Sequence, residues 1–126
     1  MILVKTYLDK SKIHGIGLFA NENIKSGAII YKPSPGLDIK ISDKDFSKLE
    51  KNCQKTIQHY GFKSKIDSMW HLAFDDIRFC NHSKKSNLFQ REIDNIKCLV
   101  VNRDIKKDDE LLQNYSEFEI LRDVLK

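Results

Sequence analysis

The stretch Arg78-Phe79-Cys80-Asn81-His82-Ser83, RFCNHS, decides the reading of this chain. An Asn followed by His is ordinarily capping or core chemistry. Six residues of these types in this arrangement are more demanding. Two further stretches frame it: HGIGLFA from His14 to Ala20 and ELLQNY from Glu110 to Tyr115. The two glycines of the first are, taken alone, a structural bend. What is informative is the set of all three, in this order.

Outward from these stretches, 126 residues with 40% hydrophobic and 32% charged positions suit one compact domain over residues 1–126 with a single core. No run approaches about 18 apolar residues, and Met1 to Leu8 carries Lys5 inside a short alternating stretch, unlike a signal peptide. The expectation is a soluble intracellular protein, cytoplasmic by default, with a nuclear or chromatin location also compatible and no membrane partner. Cys53, Cys80 and Cys98 are odd in number and scattered, which fits neither a disulfide framework nor a paired zinc motif, so buried reduced thiols are expected. The net charge of +4 is mild, and Lys106 and Lys107 adjoin Asp108, Asp109 and Glu110, so no nucleic-acid stripe is evident.

Hydrophobic periodicity gives the elements. Ile2, Val4, Thr6 and Leu8 alternate as in a strand, followed by a turn from Asp9 to His14 and a tight bend bracketed by Gly15 and Gly17. Ser26 and Gly27 mark a turn before a strand at Ile29 to Tyr31, and Pro33, Pro35 and Gly36 forbid regular structure beyond it. Phe46, Leu49, Cys53 and Ile57 recur on one helical face, so the spacing predicts an inserted helical segment over about 43–60 with Ser42 as N-cap and Gly61 as stop. Trp70 to Phe74 reads as a short apolar core segment, and a strand is expected near Lys97 to Val101. Phe118, Leu121 and Leu125 share a face, with Ser116 and Glu119 spaced as a capping box, which predicts a closing helix over about 117–125.

Together the three stretches resemble the SET domain family, whose members carry an HGxGLF-like turn, an RFxNHS stretch and an ELxxDY-like stretch in this order. The match runs from His14 to about Phe118. The resemblance implies a mainly β fold with short helices, β-clip-like, in which a near-terminal segment passes beneath a preceding loop as a pseudoknot. It also implies S-adenosylmethionine-dependent protein-lysine N-methylation, with S-adenosylhomocysteine as product and no metal. Its partner would be a protein presenting a lysine, a histone tail or another basic protein; a homodimer is compatible with the sequence. Carried over position by position, Lys12, Ile13, His14, Gly15, Ile16 and Gly17 would lie against the cofactor. Asn81 would hold it through its amide and His82 largely through its backbone, with Arg78 and Phe79 beside them. Tyr60 falls where the family often has a tyrosine between cofactor and substrate, and Tyr115 is the catalytic tyrosine at the site of methyl transfer.

The chemistry asks for such a phenol. A neutral amine must be aligned with a methyl carbon while water is excluded. With a reference pKa of about 10.4, roughly one lysine in a thousand is neutral near pH 7.4, so the site must promote proton loss. Desolvation and the neighbouring sulfonium both push that equilibrium toward the amine.

The chain departs from the family pattern in three places. Gln113 and Asn114 replace the aromatic residue and Asp that often precede the final tyrosine, and Lys84 replaces a Cys that in some members joins a zinc-bound tail; no cysteine follows Cys98. The closing helix would cover the site in place of that tail. Two other classes remain open on the sequence: a cofactor- or peptide-binding module of low turnover, which Gln113 and Asn114 would favour, and a basic nucleic-acid-associated domain, against which the interspersed acids argue. A Cys80–His82 nucleophilic pair is disfavoured because catalytic partners normally converge from distant positions. His59 and His71 have no second ligand at metal spacing and read as structural.

Overall fold

A computed structural model of the chain describes residues 1–117, and the expected helix over 117–125 lies, past Glu117, outside the described residues. The backbone is mainly short strands in four small sheets, with few helices, as expected for this fold class. β1 (Thr6–Lys10) and β2 (Ile16–Ala20) form an antiparallel hairpin with Lys10 opposite Ile16. The strand thus starts later than the alternation of Ile2 to Leu8 predicts and runs into the expected turn. Ile2 instead bridges Tyr31, and the Leu3 amide donates to the Ile30 carbonyl, so this end of the chain is used up on β3 (Ile29–Tyr31).

β4 (Ile39–Ile41) precedes α1 (Asp43–Ser47) and α2 (Lys51–Tyr60), so the predicted helical segment is present but broken in two. Its expected caps hold. Ser42 accepts from the Asp45 amide, and Gly61 closes α2. The break arises because the side-chain amide of Gln54 donates to the carbonyls of Phe46 (3.1 Å) and Leu49 (3.0 Å). Those carbonyls are satisfied without a continuing helix. Cys53 consequently faces solvent, which corrects the reading of it as a buried thiol; Cys80 and Cys98 are buried.

β5 (Phe62–Lys63) and β6 (Trp70–Leu72) join β4 in the order β4-β6-β5. Gly61 is needed here, because a Cβ would lie 2.3 Å from the His71 carbonyl oxygen of β6. Trp70 stacks on Phe46 at 4.5 Å between ring centroids, over a small core of Phe46, Ile57 and Leu72. Phe74 is 44% exposed, so the reading of it as core is wrong.

A 3-10 turn (Asp76–Phe79) leads into β7 (Asn81–His82), then β8 (Leu88–Ile93) and β9 (Ile96–Val101) form a hairpin with β9 central between β3 and β8. The hairpin turns at Asp94 and Asn95, both left-handed with φ of 52° and 64°. Two polar residues that tolerate that conformation are the hairpin signal there. β10 (Leu112–Gln113) pairs in parallel with β7, Leu112 opposite Asn81 and Gln113 opposite His82. The main core, with Leu18, Ile30, Leu88, Val101 and Leu111 fully buried, lies between the β2 hairpin, the β3-β9-β8 sheet and this segment.

The side chain of buried Asn87 locks the crossing. Its Nδ2 donates to the Glu110 carbonyl (2.8 Å) and its Oδ1 accepts from the Leu112 amide (2.8 Å). On the opposite side, the Leu111 amide donates to the Leu18 carbonyl of β2 (2.8 Å). Asn87→Ala leaves two backbone groups without partners at this crossing, so it is expected to lower unfolding stability by about 2–4 kcal/mol in urea denaturation. A loss under about 1 kcal/mol would show that the crossing does not depend on this side chain.

Candidate active site

The loop between β1 and β2 is shaped by one hydroxyl. Ser11 Oγ accepts from the Ile13 amide (2.9 Å) and donates to the Glu110 carboxylate (2.8 Å). Asn81 Nδ2 reaches the same loop, donating to the His14 carbonyl (2.9 Å) and lying 3.0 Å from Glu110 Oε2. Glu110, which carried no site role in the sequence reading, thus ties the loop to β7. Gly15, at φ +48°, takes the left-handed bend with open space where a Cβ would be. Gly17 serves another purpose: a Cβ there would lie 2.3 Å from Glu110 Oε2, so its smallness admits the carboxylate.

Two cavities flank this framework. The larger, about 990 Å³, is lined by Ile13, His14, Gly15 and Ile16 from the loop, by Asn81 and His82 of β7, and by Tyr60, Arg78, Phe79 and Tyr115. Ten of the twelve residues expected at the cofactor therefore converge. Lys12 and Gly17 do not line the cleft, the first being exposed and the second turned to Glu110. Lys55, Gln58, His59 and Trp70 also line it, and the sequence reading placed none of them there. Lys55, Gln58 and His59 sit at three- and one-residue steps on the exposed side of α2, a position that periodicity assigns to solvent. Trp70 combines both roles, stacking on Phe46 while bordering the cleft.

The smaller cavity, about 290 Å³, lies among β3, β6, β9 and the end of α2, with Tyr31, Asp38, Asp67, His71 and Leu99 on its walls. His59, Tyr60, Arg78 and Tyr115 border both cavities. At that junction the Tyr115 hydroxyl donates to the Cys80 carbonyl (2.5 Å), and the Tyr115 amide donates to His82 Nδ1 (3.1 Å). The second bond assigns His82 the tautomer protonated on Nε2. Tyr60 meets Phe79 edge to face at 5.3 Å, and the Arg78 guanidinium lies 5.5 Å from the centroids of both rings.

Burial pushes the Cys80 thiol up to about 12, with the charge of Glu110 adding to the effect and hydrogen bonding to Gln113 opposing it. It also bonds to the Leu111 carbonyl (3.1 Å). Cys80 therefore stays a thiol at neutral pH, which removes the Cys80–His82 nucleophile. Gln113 is buried (7% exposed) against it. Burial, reinforced by Asp38, raises the Tyr31 phenol above its ordinary range. His71, read as having no second ligand at metal spacing, meets the Asp67 carboxylate four residues back (2.9 Å), which also pairs with Lys40 (3.1 Å). Among the described residues no group of three or more His, Cys, Asp or Glu side chains could hold a metal ion, and no helix is long and apolar enough to cross a membrane.

The thiols predict a labelling pattern. Iodoacetamide at pH 8 is expected to modify Cys53 alone in the native protein, with Cys80 and Cys98 reacting only after denaturation, as read by peptide mass spectrometry. Rapid native labelling of Cys80 would contradict its burial.

The family model described as the SET domain matches residues 15–116. No curated protein sequence matches the chain. Among solved structures, a candidate histone methyltransferase from Plasmodium falciparum is similar at 25% identity and a TM-score of 0.62, over 90% of this chain and 95% of that one. Polycomb Repressive Complex 2 of Chaetomium thermophilum, in an autoinhibited conformation bound to S-adenosylmethionine, is similar at 23% identity and a TM-score of 0.71. That likeness covers 97% of this chain but 16% of the other, and concerns the fold. The match of this family model over residues 15–116, most of the chain, establishes that the chain belongs to the SET domain family.

Proposed function

We propose that this chain is an S-adenosylmethionine-dependent protein-lysine N-methyltransferase, with the cofactor in the larger cleft and the target lysine entering through the smaller cavity. The observation that carries the reading is that the two cavities share Tyr60, Arg78 and Tyr115 as common walls. A donor and an acceptor entering from opposite sides would meet there. The cleft suits the cofactor chemically. Tyr60, Trp70 and Phe79 offer ring faces for a purine, Gln58, Asn81 and His82 offer polar groups, and Gly15 leaves open space beside the loop. The crossing of residues 110–113 between β2, β7 and Asn87 is read as the threaded arrangement of the family.

When bound, S-adenosylmethionine supplies a methyl group on a sulfonium, open to displacement by a neutral amine with the carbon–sulfur electron pair passing to sulfur. The protein supplies orientation and exclusion of water. Tyr115 gives its hydroxyl hydrogen to the Cys80 carbonyl, so toward the cavity its oxygen acts as an acceptor. An amine N–H donated to that oxygen fixes the direction of the nitrogen lone pair. Leu72, Ala73, Ile77 and Leu99 give the smaller cavity apolar walls that disfavour a charged ammonium. A histone tail or another basic protein is the substrate proposed, with support from the histone methyltransferase description of the Plasmodium neighbour.

Incubation of the purified protein with isotopically labelled S-adenosylmethionine, core histones and cell extract is expected to place label on lysine side chains, located by mass spectrometry. Tyr115→Phe is expected to lower turnover about 100-fold, and Asn81→Ala to weaken cofactor retention through loss of the loop strap. Label on arginine or nucleic acid, or equal turnover by Tyr115→Phe, would overturn the reading.

A further inference from the structure

Arg78 stands where the two cavities join, and its surroundings give it a role of its own. Its guanidinium rests against the rings of Tyr60 and Phe79, each 5.5 Å away, and among the described residues no carboxylate forms an ion pair with it. The charge is permanent and held by ring faces that do not neutralise it. Among the described residues no Asp or Glu lines the larger cleft. Asp38 and Asp67 border only the smaller cavity, where Asp67 already holds Lys40 and His71, while Asp38 accepts from the Ser34 and Phe74 amides and has no cation in an ion pair.

We propose, building on the lysine-methyltransferase reading, that Arg78 is the electrostatic gate of the reaction, its fixed charge driving the target ammonium to give up its proton as it arrives at the junction. Asp38 and Asp67 attract the lysine as a cation at the outer end. At the inner end the amine faces Arg78 together with His59 and Tyr60 of α2, Cys80 just after the 3-10 turn, and Tyr115, none of them a carboxylate. Tyr31 of β3, held protonated, and Lys97 of β9 complete the charged and titratable lining. Like charge at short range favours the neutral amine, and filling both cavities displaces the water that screens an exposed guanidinium. The proton passes to solvent water at the outer opening. The freed lone pair then forms the nitrogen–carbon bond.

The test is the pH dependence of kcat at saturating core histones and cofactor, which reports the ionisation of the lysine in the bound complex, with Arg78→Met, Arg78→Gln and Arg78→Lys. Calorimetry of S-adenosylhomocysteine binding to each variant runs alongside. Removing the charge is expected to move the acid limb up by about one pH unit, about a tenfold loss at neutral pH that is recovered at high pH, with cofactor-product affinity within about threefold of wild type. Arg78→Lys is expected to return the limb close to the wild-type position even if its rate is lower. A limb that moves by less than about half a unit in both neutral variants, or a loss of S-adenosylhomocysteine binding that accounts for the defect, overturns the gate while leaving the methyltransferase reading intact. Absence of any lysine label from the wild-type protein overturns both.

Discussion

The backbone of residues 110–113 cannot be buried unless each of its amides and carbonyls finds a partner, and the partners come from three separate parts of the chain. Leu18 of β2 takes the Leu111 amide, Asn87 takes the Glu110 carbonyl and the Leu112 amide, and the Ser83 amide donates to the Gln113 carbonyl (2.8 Å). This distribution leaves the segment one place to lie. Once it lies there, the Glu110 side chain falls against Ser11 and Asn81, and Tyr115 emerges with its hydroxyl on the Cys80 carbonyl. Positions 14, 81 and 115, remote in sequence, are neighbours because of that crossing.

The same crossing divides the charges. On one side is a cleft lined by Lys55, Arg78 and three histidines, with no carboxylate among the described residues; on the other is a smaller cavity with Asp38 and Asp67 on its walls. On the proposed reading, a cationic side chain is drawn in from the acidic side and meets increasingly unfavourable surroundings for its charge as it moves inward. Methyl transfer needs a neutral amine, so a site that attracts the ammonium and then destabilises it serves both binding and chemistry.

Much of this was legible in the sequence where local chemistry decides. Ser42 and Gly61 bound their helical segment because an N-terminal amide needs an acceptor and a close backbone approach needs glycine; β3 and β9 followed from β-branched runs. The motif stretches converge on one cleft, the candidate site. What stayed hidden depends on contacts between distant residues. Gln54 broke the helix by capping carbonyls five and eight residues back, and Cys53 was thereby turned outward. β8 alternates too weakly to stand out until its Asp94-Asn95 turn is recognised. Gly17 looked like a ligand-facing glycine but makes room for a carboxylate supplied from position 110, and Lys55, Gln58 and His59 looked solvated because nothing local reveals the cleft above α2.

The larger cleft and the smaller cavity meet at Tyr115 and, on the proposed reading, admit cofactor and lysine from different sides. The most direct measurement is amide chemical-shift mapping by NMR as S-adenosylhomocysteine is added to the 15N-labelled protein. The account predicts the largest shifts at His14, Gly15, Ile16, Asn81 and His82, with little change at Ile66, Asp67 and Leu99 across the junction. Largest shifts on the Asp67 side, or none at millimolar ligand, would contradict it.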